Sequence, residues 1–115
     1  MHLTQTHEMK LNPLPYEAIS SGRKTVEMRL NDEKLRKIKA GDKIRFVNTE
    51  SGKELLVLVE SVTAYPSFYE LYAAHDKIAI GYEETETASP SDMLEYYPQE
   101  RIDKYGALAI KIKLL

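Results

Sequence analysis

The run from Glu54 to Tyr65 is the feature that most restricts how this chain can fold. It opens with five consecutive apolar residues, Leu55 to Val59. A flat, half-buried strand would alternate, so this run predicts a strand that is buried on both faces or bends around a barrel. Pro66 ends the strand, because proline lacks the backbone N–H that a sheet ladder needs.

Further strands are predicted on both sides of this run. Thr25 to Leu30 and Tyr105 to Leu115 alternate between apolar and polar residues with the period of two that is typical of a strand. His7 to Leu11 and Ile44 to Asn48 are predicted as two more strands, and a hairpin loop is predicted over residues 49–53.

Short helical segments are predicted between the strands. The first begins at Pro13 and ends before Gly22, with Leu14, Tyr16 and Ile19 on its buried side. The others are predicted over residues 32–38, 67–72 and 89–97, and residues 76–88 are predicted to be loop-like. The expected fold is therefore mainly β with inserted short helices (α+β), a closed or nearly closed barrel of about five or six strands that forms one domain over residues 1–115.

Composition excludes several classes of function. The chain has no cysteine, so disulfides, thiolate metal sites and cysteine nucleophiles are absent. His2, His7 and His75 lack the spacing of metal ligands, and we predict neither a metal nor a cofactor. No apolar run approaches the roughly 18 residues of a membrane span, and the N-terminus lacks a signal pattern. A cytoplasmic protein without a membrane partner is expected, of undetermined oligomeric state.

Charge is distributed unevenly along a chain whose net charge is only −2. Residues 23–45 carry nine lysines and arginines against four acids, whereas residues 46–100 carry two lysines against eleven acids. Such segregation can create a local field. If the basic stretch from Arg36 to Arg45 lines a ligand site, it would steer an anionic ligand; otherwise it is a solubilising face.

The segment from Gly22 to Arg29 holds the strongest candidate site. It passes from a predicted helix into a predicted strand and contains Lys24, Glu27 and Arg29, and the strand alternation puts Glu27 and Arg29 on one face. The two can form a simple ion pair, or they can place a carboxylate and a guanidinium to contact a base and a phosphate. Lys24 can contact a phosphate or carbonyl, or act as an amine of lowered pKa.

The pattern Gly22-x-Lys24-x-x-Glu27-x-Arg29 resembles the signature of the ASCH (ASC-1 homology) family. Residues 38–46 and the blocks 97–98 and 105–110 resemble later parts of that family in the same order. The resemblance implies a PUA-like pseudo-barrel with a cleft beside the motif that takes RNA or a nucleotide-like small molecule. It implies Lys24, Glu27 and Arg29 as ligand contacts.

Some members that the chain resembles are amidohydrolases that remove an acetyl group from modified cytidine, and others are ribonucleases. In the first group a threonine falls where this chain has Glu27, and a carboxylate cannot serve as the hydroxyl nucleophile. Thr25 is a hydroxyl nearby. If the protein is an enzyme, Lys24 and Glu27 are the candidate catalytic residues. The third alternative is a protein-interaction module with a vestigial cleft.

Other residues are candidates for the same site. Arg23 and Tyr97 are predicted ligand contacts, the tyrosine as a stacking platform beside a loop. Tyr65 and Tyr69 are stacking candidates for the same reason. An acid from the loop, either Glu83, Glu84 or Glu86, would supply the second carboxylate that general acid-base chemistry requires.

Overall fold

A computed structural model describes residues 3–115 of the chain. Its strands are β1 (Thr6–Leu11), β2 (Val26–Leu30), β3 (Lys43–Asn48), β4 (Glu54–Tyr65) and β5 (Ala107–Leu114). Its α-helices are α1 (Pro13–Ser20), α2 (Phe68–Ala74) and α3 (Gln99–Tyr105), and single stretches of 3₁₀ helix cover Leu35–Lys37 and Pro90–Glu95. None of the helices within the described residues is long and apolar enough to cross a membrane.

The five strands form one mixed sheet in the order β1-β3-β4-β5-β2. β1 pairs with β3 in parallel, and the other three pairings are antiparallel. The sheet curls into a half-barrel with the short helices around it, which confirms the predicted fold class. β1 and β2 are its edges, so the space between them is open.

β4 has the predicted bounds, and it bends rather than being buried on both faces. Residues 54–58 pair with β3 and residues 57–65 with β5, and the pairing with β5 has a register shift between Val59 and Ser61. Val57 and Val59 are buried, whereas Leu56 just before them is 38% exposed and Leu58 between them is only partly buried. A bulge of this kind increases the local twist and lets one strand serve both sides of a curled sheet.

Two apolar clusters stabilise the fold. The first lies between α1 and the sheet and includes Ile19, Phe46 and Ile110. The second lies beneath α2 and α3 and includes Phe68, Leu71 and Ile102. Burying each of these side chains contributes about 1.5–3 kcal/mol relative to leaving it exposed.

The closing strand was predicted to begin too early. Tyr105 is the last residue of α3, a helix that the sequence pattern did not reveal, and β5 begins at Ala107. Gly106 separates them with φ +76°, and a Cβ there would lie 2.6 Å from the Tyr65 carbonyl oxygen. Only glycine allows this close approach, which brings α3 directly into the sheet.

Leu14 was predicted to face the core, and this was wrong. Leu14 is 83% exposed, and Ala18 joins Tyr16 and Ile19 on the buried side of α1 instead. The segment over residues 76–88 is irregular, as predicted.

Candidate functional site

Gly22 sets the direction of the chain as it leaves α1. Its φ of +83° falls in the left-handed region, which turns the backbone towards β2. The Lys24 amide then donates to the Ala18 carbonyl oxygen at 2.9 Å, and this bond holds the turn against the end of α1. Lys24 therefore enters the site from a rigid junction rather than from a loose loop.

Lys24, Glu27 and Arg29 form a largely buried ionic cluster, which we call the triad, with Arg29 partly exposed. Lys24 Nζ donates to Glu27 Oε1 at 2.7 Å, and Arg29 Nε donates to Glu27 Oε2 at 2.9 Å. The Met28 amide donates to Glu27 Oε1 as well, at 3.2 Å. Glu27 is only 3% exposed and Lys24 8%, so both charges are held largely out of water.

The pKa values of Glu27 and Arg29 are set by their partners in the triad as well as by burial. Burial alone raises the pKa of Glu27, but the charges and hydrogen bonds of Lys24 and Arg29 outweigh it, and the net pKa is lowered. Burial likewise lowers the pKa of Arg29, and the Glu27 carboxylate more than restores it. Glu27 is therefore an ionised anchor for two cations at neutral pH and a poor proton donor.

Arg29 also links the two edge strands of the sheet. Its Nη2 donates to the Lys10 carbonyl oxygen of β1 at 3.1 Å, across the open side of the half-barrel. A backbone carbonyl on an edge strand has no partner strand there, and the guanidinium takes that place. The triad is thus part of both the site and the closure of the sheet.

Residues 79–82, in the irregular segment after α2, lie beside Lys24 and form one side of the site, which we call the wall. The amides of Thr25 and Val26 both donate to the Ala79 carbonyl oxygen at 2.9 Å. Arg23 Nη1 donates to the carbonyl oxygens of Gly81 and Tyr82, at 3.2 and 3.0 Å. These bonds fix residues 79–82 against the start of β2.

Gly81 lies against the side chain of Lys24. Its φ is +113°, and a Cβ built there would lie 3.0 Å from Lys24 Cδ and 3.5 Å from Cε. A side chain at this position would push on the lysine stem. The glycine therefore helps to set where the ammonium group lies.

Tyr82 ties the wall to neighbouring segments. Its hydroxyl donates to Asp92 Oδ2 at 2.6 Å, and it lies 2.8 Å from the Tyr72 hydroxyl. Burial raises the pKa of Tyr82, and the hydrogen bonds with Asp92 and Tyr72 raise it further, so the phenol stays neutral. The network connects α2, the wall and the 3₁₀ segment at residues 90–95.

Tyr97 lies near the triad and comes from a later part of the chain. Its ring stacks on Phe68 with centroids 6.1 Å apart and planes within 4°. Burial raises the pKa of Tyr97, and the nearby Arg29 charge opposes this only in part. The stack holds the tyrosine in one orientation.

These residues surround one open cleft of about 550 Å³. Its charged lining comprises four basic residues (Lys10, Arg23, Lys24 and Arg29) and five acidic ones (Glu27, Glu83, Glu86, Asp92 and Glu95), and its aromatic lining comprises Tyr72, Tyr82, Tyr96 and Tyr97. Apart from Glu27, the acids are all exposed. The cleft therefore combines a buried, largely basic cluster with acidic side chains at its solvent-exposed parts.

The structure brings the five predicted ligand contacts together. Lys24, Glu27, Arg29, Arg23 and Tyr97 all line the cleft. The two residues named as tentative catalytic groups, Lys24 and Glu27, are in direct contact there.

Several other predicted residues lie elsewhere. Thr25 is exposed and does not line the cleft, so its hydroxyl is not beside the triad. Tyr65 and Tyr69 do not line it either, and the same holds for the basic stretch from Arg36 to Arg45. Of the candidate acids, Glu84 is outside the lining.

Sequence reasoning missed part of the lining. Tyr82 and Gly81 come from an irregular segment with no periodic pattern, and Asp92 comes from a short 3₁₀ stretch. The pair Gly81-Tyr82 was the one sequence feature that could have pointed to this part of the lining. Within residues 3–115, no group of three or more histidine, aspartate or glutamate side chains is arranged to hold a metal ion, and His2 lies outside the described residues.

Comparison with known protein families shows which family the chain belongs to. A sequence model of the ASCH domain matches residues 9–115, which is nearly the whole chain. The protein belongs to the ASCH domain family. This family has the PUA-like fold, in agreement with the curled sheet. A comparison with curated proteins gave no match.

Solved structures agree with this assignment. The crystal structure of hypothetical protein PH0355 is 35% identical, with a TM-score of 0.81, over 96% of this chain and 99% of that one. The solution structure of protein PF0455 from Pyrococcus furiosus is 34% identical, with a TM-score of 0.75, over 96% and 97%. The ASCH protein from Zymomonas mobilis is 19% identical, with a TM-score of 0.64 over 94% of this chain and 66% of that one, which supports the fold alone.

Proposed function

We propose that this ASCH domain binds RNA or a nucleotide-like small molecule in the cleft around Lys24, Glu27 and Arg29. The observation that carries the proposal is the buried triad within an open cleft of about 550 Å³. Two cations held on one buried carboxylate are costly to desolvate, and such arrangements concentrate at functional sites. The cleft volume falls within the range of about 300–1,000 Å³ that is usual for small-molecule sites.

The triad presents hydrogen-bond donors to the cleft. A lysine ammonium has three N–H groups, and Lys24 uses one of them on Glu27. Arg29 uses its Nε and Nη2 on Glu27 and Lys10, which leaves the Nη1 donors. A ligand rich in acceptors, such as a base carbonyl or a phosphate oxygen, matches these donors.

The tyrosines supply the second kind of contact that a base needs. Tyr72, Tyr82 and Tyr97 line the cleft, and all three are partly buried and held by ring or hydroxyl contacts. Stacking of a base on an aromatic ring contributes about 1–3 kcal/mol and is available to every base. Rigid rings favour such a ligand because little side-chain entropy is lost on binding.

A hydrolase acting on modified nucleosides or RNA is the second candidate function. The observation that favours it is the 2.7 Å contact between the Lys24 amine and the Glu27 carboxylate inside the cleft, with Glu83 and Glu86 in the same lining. In that scheme the lowered pKa of Glu27 keeps its carboxylate ionised, so Glu27 would orient Lys24. Glu83 or Glu86 would then act as the general acid or base that gives a proton to the substrate or takes one from it.

The test is a panel of the four nucleosides, acetylated cytidine and short single-stranded RNAs, measured for binding and for turnover. We expect Lys24→Ala to weaken binding by about 30-fold, or about 2 kcal/mol. Lys113→Ala is the matched control, because Lys113 is exposed on β5 and lies outside the cleft.

The outcomes separate the candidates. Binding that Lys24→Ala weakens, without turnover, supports the ligand-binding function. Turnover that the same substitution abolishes supports the hydrolase. Binding that both lysine variants weaken equally, or no signal from any ligand, overturns both and leaves the protein-interaction module.

A further inference from the structure

A second groove meets the cleft at Arg29 and Lys10. It has a volume of about 510 Å³ and runs between β1, β2 and the 3₁₀ turn at Leu35–Lys37. The cleft and this groove share Arg29 and Lys10, the two residues whose hydrogen bond links the edge strands. Together they form one path along the open side of the half-barrel, and the link between the strands lies where they meet.

The two parts of this path differ in charge. The groove is lined by Lys10, Arg29 and Lys34 with Glu8 as its one acid among the described residues, whereas acids outnumber cations in the cleft. A polyanion laid across the exposed parts of the cleft would meet Glu83, Glu86 and Asp92. The same polyanion laid in the groove would meet mainly cations.

The lysines of the groove are available to a ligand. Lys10 and Lys34 are both exposed, and among residues 3–115 neither forms an ion pair with an acid. Between them the groove is lined by buried apolar side chains, among them Met9, Leu35 and Ile38. Apolar surroundings strengthen the attraction of nearby cations for an anion, because they lower the local dielectric constant.

We propose that the groove is the phosphate-binding half of the site. One nucleotide of a single-stranded RNA occupies the cleft, and the strand continues past Arg29 into the groove, where Lys10 and Lys34 contact its phosphates. The inference rests on the proposed function, because the position of the RNA in the groove follows from the position of its nucleotide in the cleft. It adds that the ligand is a chain of at least two nucleotides and that Lys34 reads its phosphate and no base.

The salt dependence of binding follows from this geometry. Each phosphate contact with single-stranded nucleic acid contributes about −0.7 to the slope of log affinity against log salt. Removing Lys34 should make that slope shallower by about 0.7. An exposed ion pair contributes up to about 1 kcal/mol, so affinity at low salt should fall about three- to fivefold.

The experiment compares Lys34→Ala with Lys113→Ala, using a labelled single-stranded RNA heptamer of random sequence and, separately, the four nucleosides. Both lysines are exposed, and Lys113 lines neither cavity. We expect Lys34→Ala to weaken heptamer binding and flatten its salt slope while nucleoside binding stays unchanged. Lys113→Ala should change neither.

Each of the other possible results overturns the phosphate groove, and the results differ in whether the proposed function survives. Heptamer binding that Lys24→Ala weakens and Lys34→Ala leaves unchanged, slope included, overturns the phosphate groove and keeps the proposed function. A loss that is equal for Lys34→Ala and Lys113→Ala also overturns it, because it reflects general charge alone. Absence of heptamer binding, or displacement of the heptamer by an acidic peptide but not by unlabelled RNA, overturns the inference.

Discussion

Two buried carboxylates in this protein have very different partners. Asp42 is fully buried and Glu27 is 3% exposed. Asp42 accepts from the backbone amides of Gln5 and Lys39, each at 3.0 Å, and contacts His7 Nε2 at 2.8 Å. Glu27 is held mainly by the side chains of Lys24 and Arg29.

We propose that this difference separates a structural charge from a ligand-binding one. The amides around Asp42 belong to the turn before β3 and the residues before β1, so the carboxylate fixes how these two strands begin. The cations around Glu27 are long side chains that have further donors and lie in an open cleft. We infer that the carboxylate bound by backbone amides serves the fold, and under the proposed function the one bound by cations in the cleft serves a ligand.

The largest expected effect is on the structural side of this comparison. Asp42→Ala leaves two partly buried backbone amides and His7 without this acceptor, and we expect the free energy of unfolding to fall by about 3 kcal/mol. Urea denaturation measures the loss. Ligand affinity of the folded fraction should stay within about twofold, since Asp42 lines neither cavity.

Glu60→Ala is the control for this loss, because Glu60 is an exposed acid on β4. It should change stability by less than about 0.5 kcal/mol. A stable Asp42→Ala protein whose ligand affinity is lost would reverse the assignment of the two carboxylates.

A smaller effect is expected at Gly81, which lies against the Lys24 side chain of the triad. Gly81→Ala should cost about 1 kcal/mol of stability through its positive φ, and it should weaken ligand binding about fivefold by displacing Lys24. Gly52→Ala is a matched control, because Gly52 also has a positive φ (+75°) but no atom within 4 Å of a Cβ built there. Binding is measured by titration and stability by urea denaturation.

The pair of glycine variants isolates one cause. Gly52→Ala also places a side chain at a positive φ but makes no such contact, so it should lose stability and keep its affinity. Equal affinity in the two variants would show that Gly81 acts through strain alone and does not set the lysine.

The strands could be predicted from sequence because their signal is local. β4 has its predicted bounds, since a continuous apolar run and the following proline mark both ends. α3 could not be recovered, because Tyr105 continues the apolar alternation of β5 and hides the helix end. Gly106 was the only local sign of the break, and its cause is a contact with Tyr65, 41 positions earlier in the chain.

The triad could likewise be predicted, because its members lie within six positions of one strand and its preceding turn. The position of the wall could not be predicted, because the hydrogen bonds that hold it join Arg23 to Gly81 and Tyr82, which are 58 and 59 residues away in the sequence. Proximity in sequence also left open whether the basic stretch after the motif lines the cleft. None of the lysines and arginines of that stretch lines either cavity, whereas Lys34 just before it lines the second groove.

The smallest expected effect concerns pH and the charge of Glu27. Its pKa in the folded protein is lowered from the ordinary value of 4.5, because Lys24 and Arg29 outweigh the effect of burial. The unfolded chain therefore binds this proton more readily, so the stability that Glu27 contributes is complete above about pH 5 and is lost as the pH falls through the folded pKa. Glu27→Gln should make the fall in unfolding free energy between about pH 5 and pH 3 shallower.

Glu70→Gln is the comparison for this pH effect. A hydrogen bond from Ser67 lowers the pKa of Glu70 as well, but Glu70 is exposed, so its share of the acid dependence should be the smaller one. Urea denaturation of both variants at each pH measures the two shares. If Glu27→Gln keeps the slope of the unsubstituted protein while Glu70→Gln flattens it, the triad carries no stabilising charge. Glu27 would then differ from Asp42 only in its location.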